Sequence, residues 1–176
     1  NCKLIGNRSD SGGGASWSVL NSCQISGNVA ETGGGILYAT ISNSFLSGNT
    51  ARIAGGALES TVINCTIVSN TSTVMWGGGV AGATYVANSI IYYNDSPTDP
   101  NISASPVDFS CSIPLPSGTG NISNAPLFVN LSGGNFRLQT NSPCINSGNN
   151  SYVSSGVDLD GRLRIKESIV DIGAYE

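Results

Sequence analysis

The sequence contains no histidine, one methionine, and only seven Lys or Arg against eleven Asp or Glu in 176 residues. Without histidine, neither a Ser-His-Asp nor a Cys-His nucleophile system can be assembled. Without histidine or closely spaced cysteine pairs, no metal centre and no cofactor are expected. Charged residues make up 10% of the chain and the net charge is −4. Nucleic acid would call for clustered Lys and Arg, so no nucleic-acid partner is expected. No apolar run approaches the roughly 18 residues that cross a bilayer, so no membrane-spanning segment is expected. No signal peptide is visible at the opening "NCKLIGN", which reads as mid-domain sequence. Strong helix formers are scarce, whereas Gly (23 residues), Asn, Ser and Thr abound. That composition favours turns and short strands over helices. Hydrophobic residues still make up 39%, enough for a packed core rather than a disordered chain.

What is present is a repeat. "CKLIGNRSDSGGGASWSVLNS" from Cys2 aligns with "CQISGNVAETGGGILYATISN" from Cys23, an offset of 21. The same offset leads to Ser44 and to Cys65, and an offset of 24 leads to Ser89. One column reads Leu4, Ile25, Leu46, Ile67, Ile91 and is always apolar. Two residues earlier, Cys2, Cys23, Ser44, Cys65 and Ser89 are always small. Alternation by two places both columns on the inner face of a strand. Three residues after the apolar position stands Asn7, Asn28, Asn49, Asn70 or Asn94, without exception. After the glycines, Ser16, Leu37, Leu58, Ala81 and Leu20, Ile41, Val62, Val86 are expected inward, with Trp17, Tyr38 and Glu59 outward between them.

A short-strand repeat of this length without helical periodicity predicts an all-β, right-handed parallel β-helix (a β-solenoid) of about four to five coils over residues 1–94. Coils stacked in register bring like side chains about 4.8 Å apart. The Asn column then forms an amide ladder in a turn that tolerates left-handed φ. The glycines permit positive φ and close approach of coils.

The "[L/I]-x-x-N" and "G-G-[G/A]-[I/L/V]" pattern, as in "ISGN…GGGI" and "IVSN…GGGV", resembles the repeats of chlamydial polymorphic outer-membrane proteins. More broadly it is similar to right-handed parallel β-helix proteins of the pectate-lyase-like kind. "GNISNAPLFVNLSGGNFRLQTNSPCINSGNN" with "VDLDGRLRIKESIVDIGAYE" resembles the segment that ends choice-of-anchor-Q proteins. These resemblances imply an exported, bacterial cell-surface location. The implied function is structural or adhesive, as the end of a longer surface protein or as a subunit stacking end to end on itself. A carbohydrate-binding module or a remnant of a polysaccharide lyase is the alternative, because β-helices host all of these.

From Asp95 the repeat dissolves into turn-rich sequence with Pro97, Pro100 and Pro106. Residues 95–176 are expected to cap the solenoid irregularly and continuously with it, with "NFRLQ" and "IVDIGAY" as short strands closing its end. Cys111 and Cys144 lie in this part, and a disulfide between them would close a loop of about 33 residues and contribute roughly 3–4 kcal/mol. Cys2, Cys23 and Cys65 read as small buried hydrophobes. "DLDGRLR" opens like a calcium loop at Asp158 and Asp160 but lacks the later acidic ligands, so the favoured reading is a turn whose carboxylates bond backbone amides. Arg162 and Arg164 are candidates to pair with Asp171 or Glu176.

No catalytic set is assigned. Lys3, Arg8, Asp10, Glu31, Arg52 and Glu59 are read as scattered over different columns, except that Asp10 and Glu31 share one at a spacing that would suit a retaining glycosidase. Trp17 and Tyr38, stacked beside Glu59, read either as a glycan-stacking surface or as a surface patch covered by a neighbouring chain or loop. Eight Asn-x-Ser/Thr sequons occur, at Asn7, Asn64, Asn70, Asn94, Asn101, Asn121, Asn130 and Asn149. Asn7 and Asn70 belong to the ladder and are expected to stay unmodified.

Overall fold

The computed structural model describes all residues, 1–176. It is an all-β parallel solenoid whose only helical element is a single 3-10 turn, Asn150–Tyr152. The coils that begin at Gln24, Phe45 and Thr66 each contribute one short strand to each of four sheets, and the flanking coils contribute to some of them. The first sheet runs through Lys3–Ile5, Gln24–Ser26, Phe45–Ser47, Thr66–Val68, Ile90–Tyr92 and Cys111–Ser112. The second holds Val29–Thr32, Thr50–Ile53 and Thr71–Ser72. The third runs from Ala15–Ser16 through Ile36–Leu37, Ala57–Leu58 and Val80–Ala81 to Ile102–Ser103. The fourth runs from Val19–Asn21 through Thr40–Ser42, Thr61–Ile63 and Tyr85–Ala87 to Val107–Asp108. All of these pair in parallel with identical columns opposite, as in Ile25 with Leu46 and Leu46 with Ile67. The solenoid strands continue past Asn94 to Ser112.

The ladder has defined geometry. In each step the Asn side-chain carbonyl accepts from the backbone N–H and the side-chain amide of the preceding coil, as Asn49 Oδ1 does from Asn28 at 3.0 and 2.9 Å. Asn28, Asn49 and Asn70 are fully buried, so these amides replace water for one another. The left-handed residue of this corner is not the Asn but its predecessor, Gly6, Gly27, Gly48, Ser69 or Tyr93. The ladder ends at Asn101, whose Oδ1 accepts from the Asn94 backbone and side chain at 3.1 Å. Asn101 aligns with the third glycine of the earlier coils, Gly35 and Gly79 among them, through the pairing of Val80 with Ile102. A side chain thus appears where the last coil no longer needs to admit another.

The glycine run divides its labour. The first position takes positive φ, as Gly33 does at 62°, and Ala54 does the same without being glycine. At the third position φ is ordinary, but a Cβ on Gly35 would sit 2.4 Å from the Gly56 carbonyl oxygen of the next coil. Close stacking, not conformation, demands glycine there.

The residue directly after the glycines points inward. Ile36, Ala57 and Val80 join Ile25, Ile41, Leu46, Val62 and Ile67 in the core, with Ala15 and Ile102 packed against it. The sequence reading placed Ser16, Leu37, Leu58 and Ala81 there and is off by one residue. The glycine corner turns the chain so sharply that the strand enters with its first side chain already inside.

The C-terminal part does two things. Asn121 and Ile122 close the edge of the last coil, with Asn121 Oδ1 accepting from Ser110 N and Ile122 exchanging backbone bonds with Ser110 and Ser112. Much of the rest lies along the outer face of the first sheet. A hairpin of Phe128–Asn130 and Asn135–Leu138 brings Phe128 and Phe136 onto Phe45, Val68, Ile90 and Tyr92, with Cys111, Cys144 and Ile172 in the same cluster. Phe45 and Phe136 stack with centroids 4.7 Å apart. From Phe45 onward the first sheet is therefore covered on both faces, which accounts for apolar residues at its outward positions there. "NFRLQ" is a strand, whereas Ile169–Tyr175 is irregular backbone. Arg164, almost wholly buried, pins this irregular stretch by donating to the carbonyls of Asp171 and Gly173, and lies 3.7 Å from Glu176.

Candidate functional site

Trp17, Tyr38 and Glu59 occupy successive coils at the corner between the third and fourth sheets. Each has left-handed φ, 51°, 50° and 46°. L-residues hold that conformation at a cost of about 1–2 kcal/mol each. The corner throws their side chains outward, clear of both sheets. Trp17 and Tyr38 stack with centroids 4.4 Å apart and ring planes 25° apart. Tyr38 covers one face of the indole, and Trp17 remains 76% exposed. The Glu59 carboxylate beside the Tyr38 phenol pushes the Tyr38 pKa up. The aromatic pair thus stands next to a carboxylate one coil further on.

Beside this column runs a groove of about 610 Å³, with Leu37 and Leu58 between Tyr38 and Glu59 on one side and Ile53 and Trp76 on the other. Leu37 is buried and Leu58 half-buried beneath the groove, both outside the central core cluster. Aromatic and apolar side chains beside a carboxylate can cover the C–H face of a sugar while accepting from its hydroxyls.

The charged residues form a different surface. Asp10, Glu31 and Arg52 share one column of the second sheet, so Arg52 is not scattered as the sequence reading had it. Arg52 lies 3.3 Å from Glu31, both well exposed. Asp10 is also exposed.

Asp158 and Asp160 do not converge. Asp158 accepts from the backbone N–H groups of Asp160, Arg162 and Glu176 at 2.8–2.9 Å. Asp160 takes both Nε and Nη2 of Arg137 at 2.6 Å. Both carboxylates are spent on holding the C-terminal segment.

Cys111 and Cys144 are free thiols here, both buried in the cluster between the first sheet and the hairpin, so the expected disulfide is not formed in this structure. Contact with Cys144, and then burial, push the Cys111 thiol far above its usual range. Cys23 and Cys65 are buried in the small inward column, and burial lifts Cys65 to about 12. Cys2 is exposed.

Two groupings escaped the sequence reading. A second, broken Asn column pairs Asn43 with Asn21 and Asn88 with Asn64, each at 3.0 Å. Its spacing of 21 to 24 residues was there to be read. Tyr85 donates to Asp108 at 2.5 Å and meets the Tyr152 hydroxyl at 2.6 Å, which docks the 3-10 turn on the fourth sheet. Burial and these bonds raise the Tyr85 pKa, and the Tyr85 bond lowers that of Asp108. Nothing local in the sequence announces that contact.

No family model, curated protein or solved structure matches the chain. The parallel solenoid rests on its own geometry, and the likeness to polymorphic outer-membrane and choice-of-anchor-Q proteins rests on the quoted motifs alone. No helix is long and apolar enough to cross a membrane.

Proposed function

We propose that this chain is an exported, surface-associated β-solenoid that serves adhesion, and that Trp17, Tyr38 and Glu59 are where it meets surface glycans. The observation that carries this reading is the Trp17–Tyr38 stack, a flat aromatic column that turns outward at the corner beside Glu59. A sugar ring laid on this outward-facing column would bury its aromatic surface. Glu59 and the adjoining groove supply the acceptor and the walls that would orient the sugar.

A glycan array probed with the intact protein tests this. Binding of at least one glycan is expected, and Trp17→Ala is expected to weaken it about tenfold, roughly 1.4 kcal/mol. Val19→Ala, at another exposed position of the same coil, should leave it unchanged. An array without signal, or one indifferent to Trp17→Ala, overturns the reading.

Export carries a second expectation. In an oxidising compartment Cys111 and Cys144 would lose two hydrogens to a thiol oxidase or disulfide carrier and close a bond. Peptide mapping of the protein secreted by its native cell, without reductant, should find the two in one linked species. Both cysteines alkylated after denaturation would argue against an oxidising location.

A further inference from the structure

The eight sequons fall into two classes by what their amide nitrogens are doing. Attachment of a sugar requires Nδ2 to be free, because that atom forms the new bond. In six sequons it is committed. Asn7 donates to Asn28 at 2.9 Å, Asn70 to Asn94 at 3.0 Å, and Asn94 to Asn101 at 3.1 Å. Asn64 donates to the Tyr152 carbonyl at 3.0 Å, Asn101 to that of Ile113 and Asn121 to that of Val107, both at 2.8 Å. A sugar on any of these would remove a buried or half-buried bond and force a bulky polar group into the stack.

Asn130 is different. It stands exposed at the tip of the Phe128–Asn130/Asn135–Leu138 hairpin. Its carbonyl oxygen accepts from the Ser132 hydroxyl at 3.1 Å and from Gly133 N at 2.9 Å, while Nδ2 donates to nothing. The hydroxyl that makes this a sequon is therefore already bonded to the Asn130 amide, on the oxygen side. The space beside the nitrogen is also kept open, since a Cβ on Gly133 would lie 2.5 Å from Nδ2. The hairpin is anchored from below by Phe128 and Phe136, so the tip is presented without disturbing the core. Asn149 shares the carbonyl arrangement, accepting from Ser151 Oγ at 2.8 Å. However, Asn149 is half-buried, and its backbone N–H and carbonyl are both bonded to Asn88.

We propose that Asn130 is an acceptor site for an amide-linked glycan. Nδ2 attacks the anomeric carbon of a sugar activated as a diphosphate. The C1–O bond to phosphate breaks and the diphosphate leaves with the electron pair. Nδ2 gives up one proton to a base of the transferase, and an N–C1 bond replaces an N–H bond. The donor diphosphate is carried by a polyprenyl lipid or by a nucleotide; the amide chemistry is the same for both.

The test uses the intact, folded chain as acceptor in two arms, followed by peptide mass mapping of every sequon. One arm supplies a membrane oligosaccharyltransferase with a polyprenyl-diphosphate oligosaccharide. The other supplies a soluble N-glycosyltransferase with a nucleotide sugar. Asn130 should be occupied in at least one arm, which identifies the donor class, and its occupancy should exceed that of Asn149 severalfold. The six committed sequons should stay bare. Ser132→Ala should reduce occupancy at Asn130 at least tenfold, Ser132→Thr should restore it, and Gly133→Val should reduce it with the sequon intact. Asn130 bare in both arms overturns the proposal, as does a folded protein modified at a ladder residue in preference to Asn130.

Discussion

Asn49→Ala is expected to abolish cooperative folding or to shift the urea midpoint by most of the protein's stability. Asn49 Oδ1 accepts from Asn28 N and Asn28 Nδ2, and its amide donates to the Ile25 carbonyl and to Asn70 Oδ1, all at 2.8–3.0 Å. Truncation strips a partner from each of these groups in a site with no solvent access. A buried group left without its partner costs about 1–3 kcal/mol. Several together come to about 4 kcal/mol or more, against a typical domain stability of about 5–15 kcal/mol. Asn7→Ala, at an exposed rung, should cost about 1 kcal/mol, since water reaches that rung. Urea titrations of the two variants with equal midpoints would show that the ladder contributes nothing beyond local turn preference.

The second large effect comes from Gly35→Ala. The added methyl carbon meets the Gly56 carbonyl oxygen at 2.4 Å and Asn49 Nδ2 at 3.2 Å. Both neighbours belong to the next coil, and neither is the loose end of a flexible chain. Relief requires the coils to separate, which breaks ladder bonds on either side. We expect a loss of about 4 kcal/mol, at the extreme of point substitutions. Gly48→Ala is the instructive contrast. Gly48 has φ of 60°, but the nearest atom to a Cβ there lies 4.0 Å away. Only the left-handed penalty applies, about 1–2 kcal/mol. Thermal unfolding that ranked Gly48→Ala as the worse of the two would mean that conformation, rather than coil spacing, selects glycine throughout the run.

These two cases also show where legibility in the sequence begins and ends. The Asn column was readable because every coil repeats it, and a repeated column with one amide per coil can only pair with itself. The glycine run was readable as a corner, but its inner register was not. Whether Ile36 or Leu37 enters the core depends on how sharply the chain turns after Gly35, and that turn is fixed by the next coil's carbonyl. The candidate site was half legible. Trp17, Tyr38 and Glu59 fall in one column by counting, but their left-handed backbone and the groove past Leu58 arise only from the corner geometry. The fate of Asp158 and Asp160 was open in the sequence, and it was decided by Arg137 and by the backbone amides of Arg162 and Glu176.

By itself the sequence determined the solenoid, its coil length, its ladder and the inner apolar columns of the first and fourth sheets. Each of these is stated once per coil and reinforced by in-register stacking, so local information is multiplied along the axis. Tertiary structure alone decided what the non-repeating third of the chain does. Its hairpin and irregular tail lie along the first sheet because Phe45, Val68, Ile90 and Tyr92 leave an apolar outer face that must be covered. Buried Arg164 holds the tail there through carbonyls of a segment with no regular structure of its own. Such contacts join residues about a hundred positions apart, as Asn64 and Arg164 are. No period links those positions, so only the folded chain reveals that they meet.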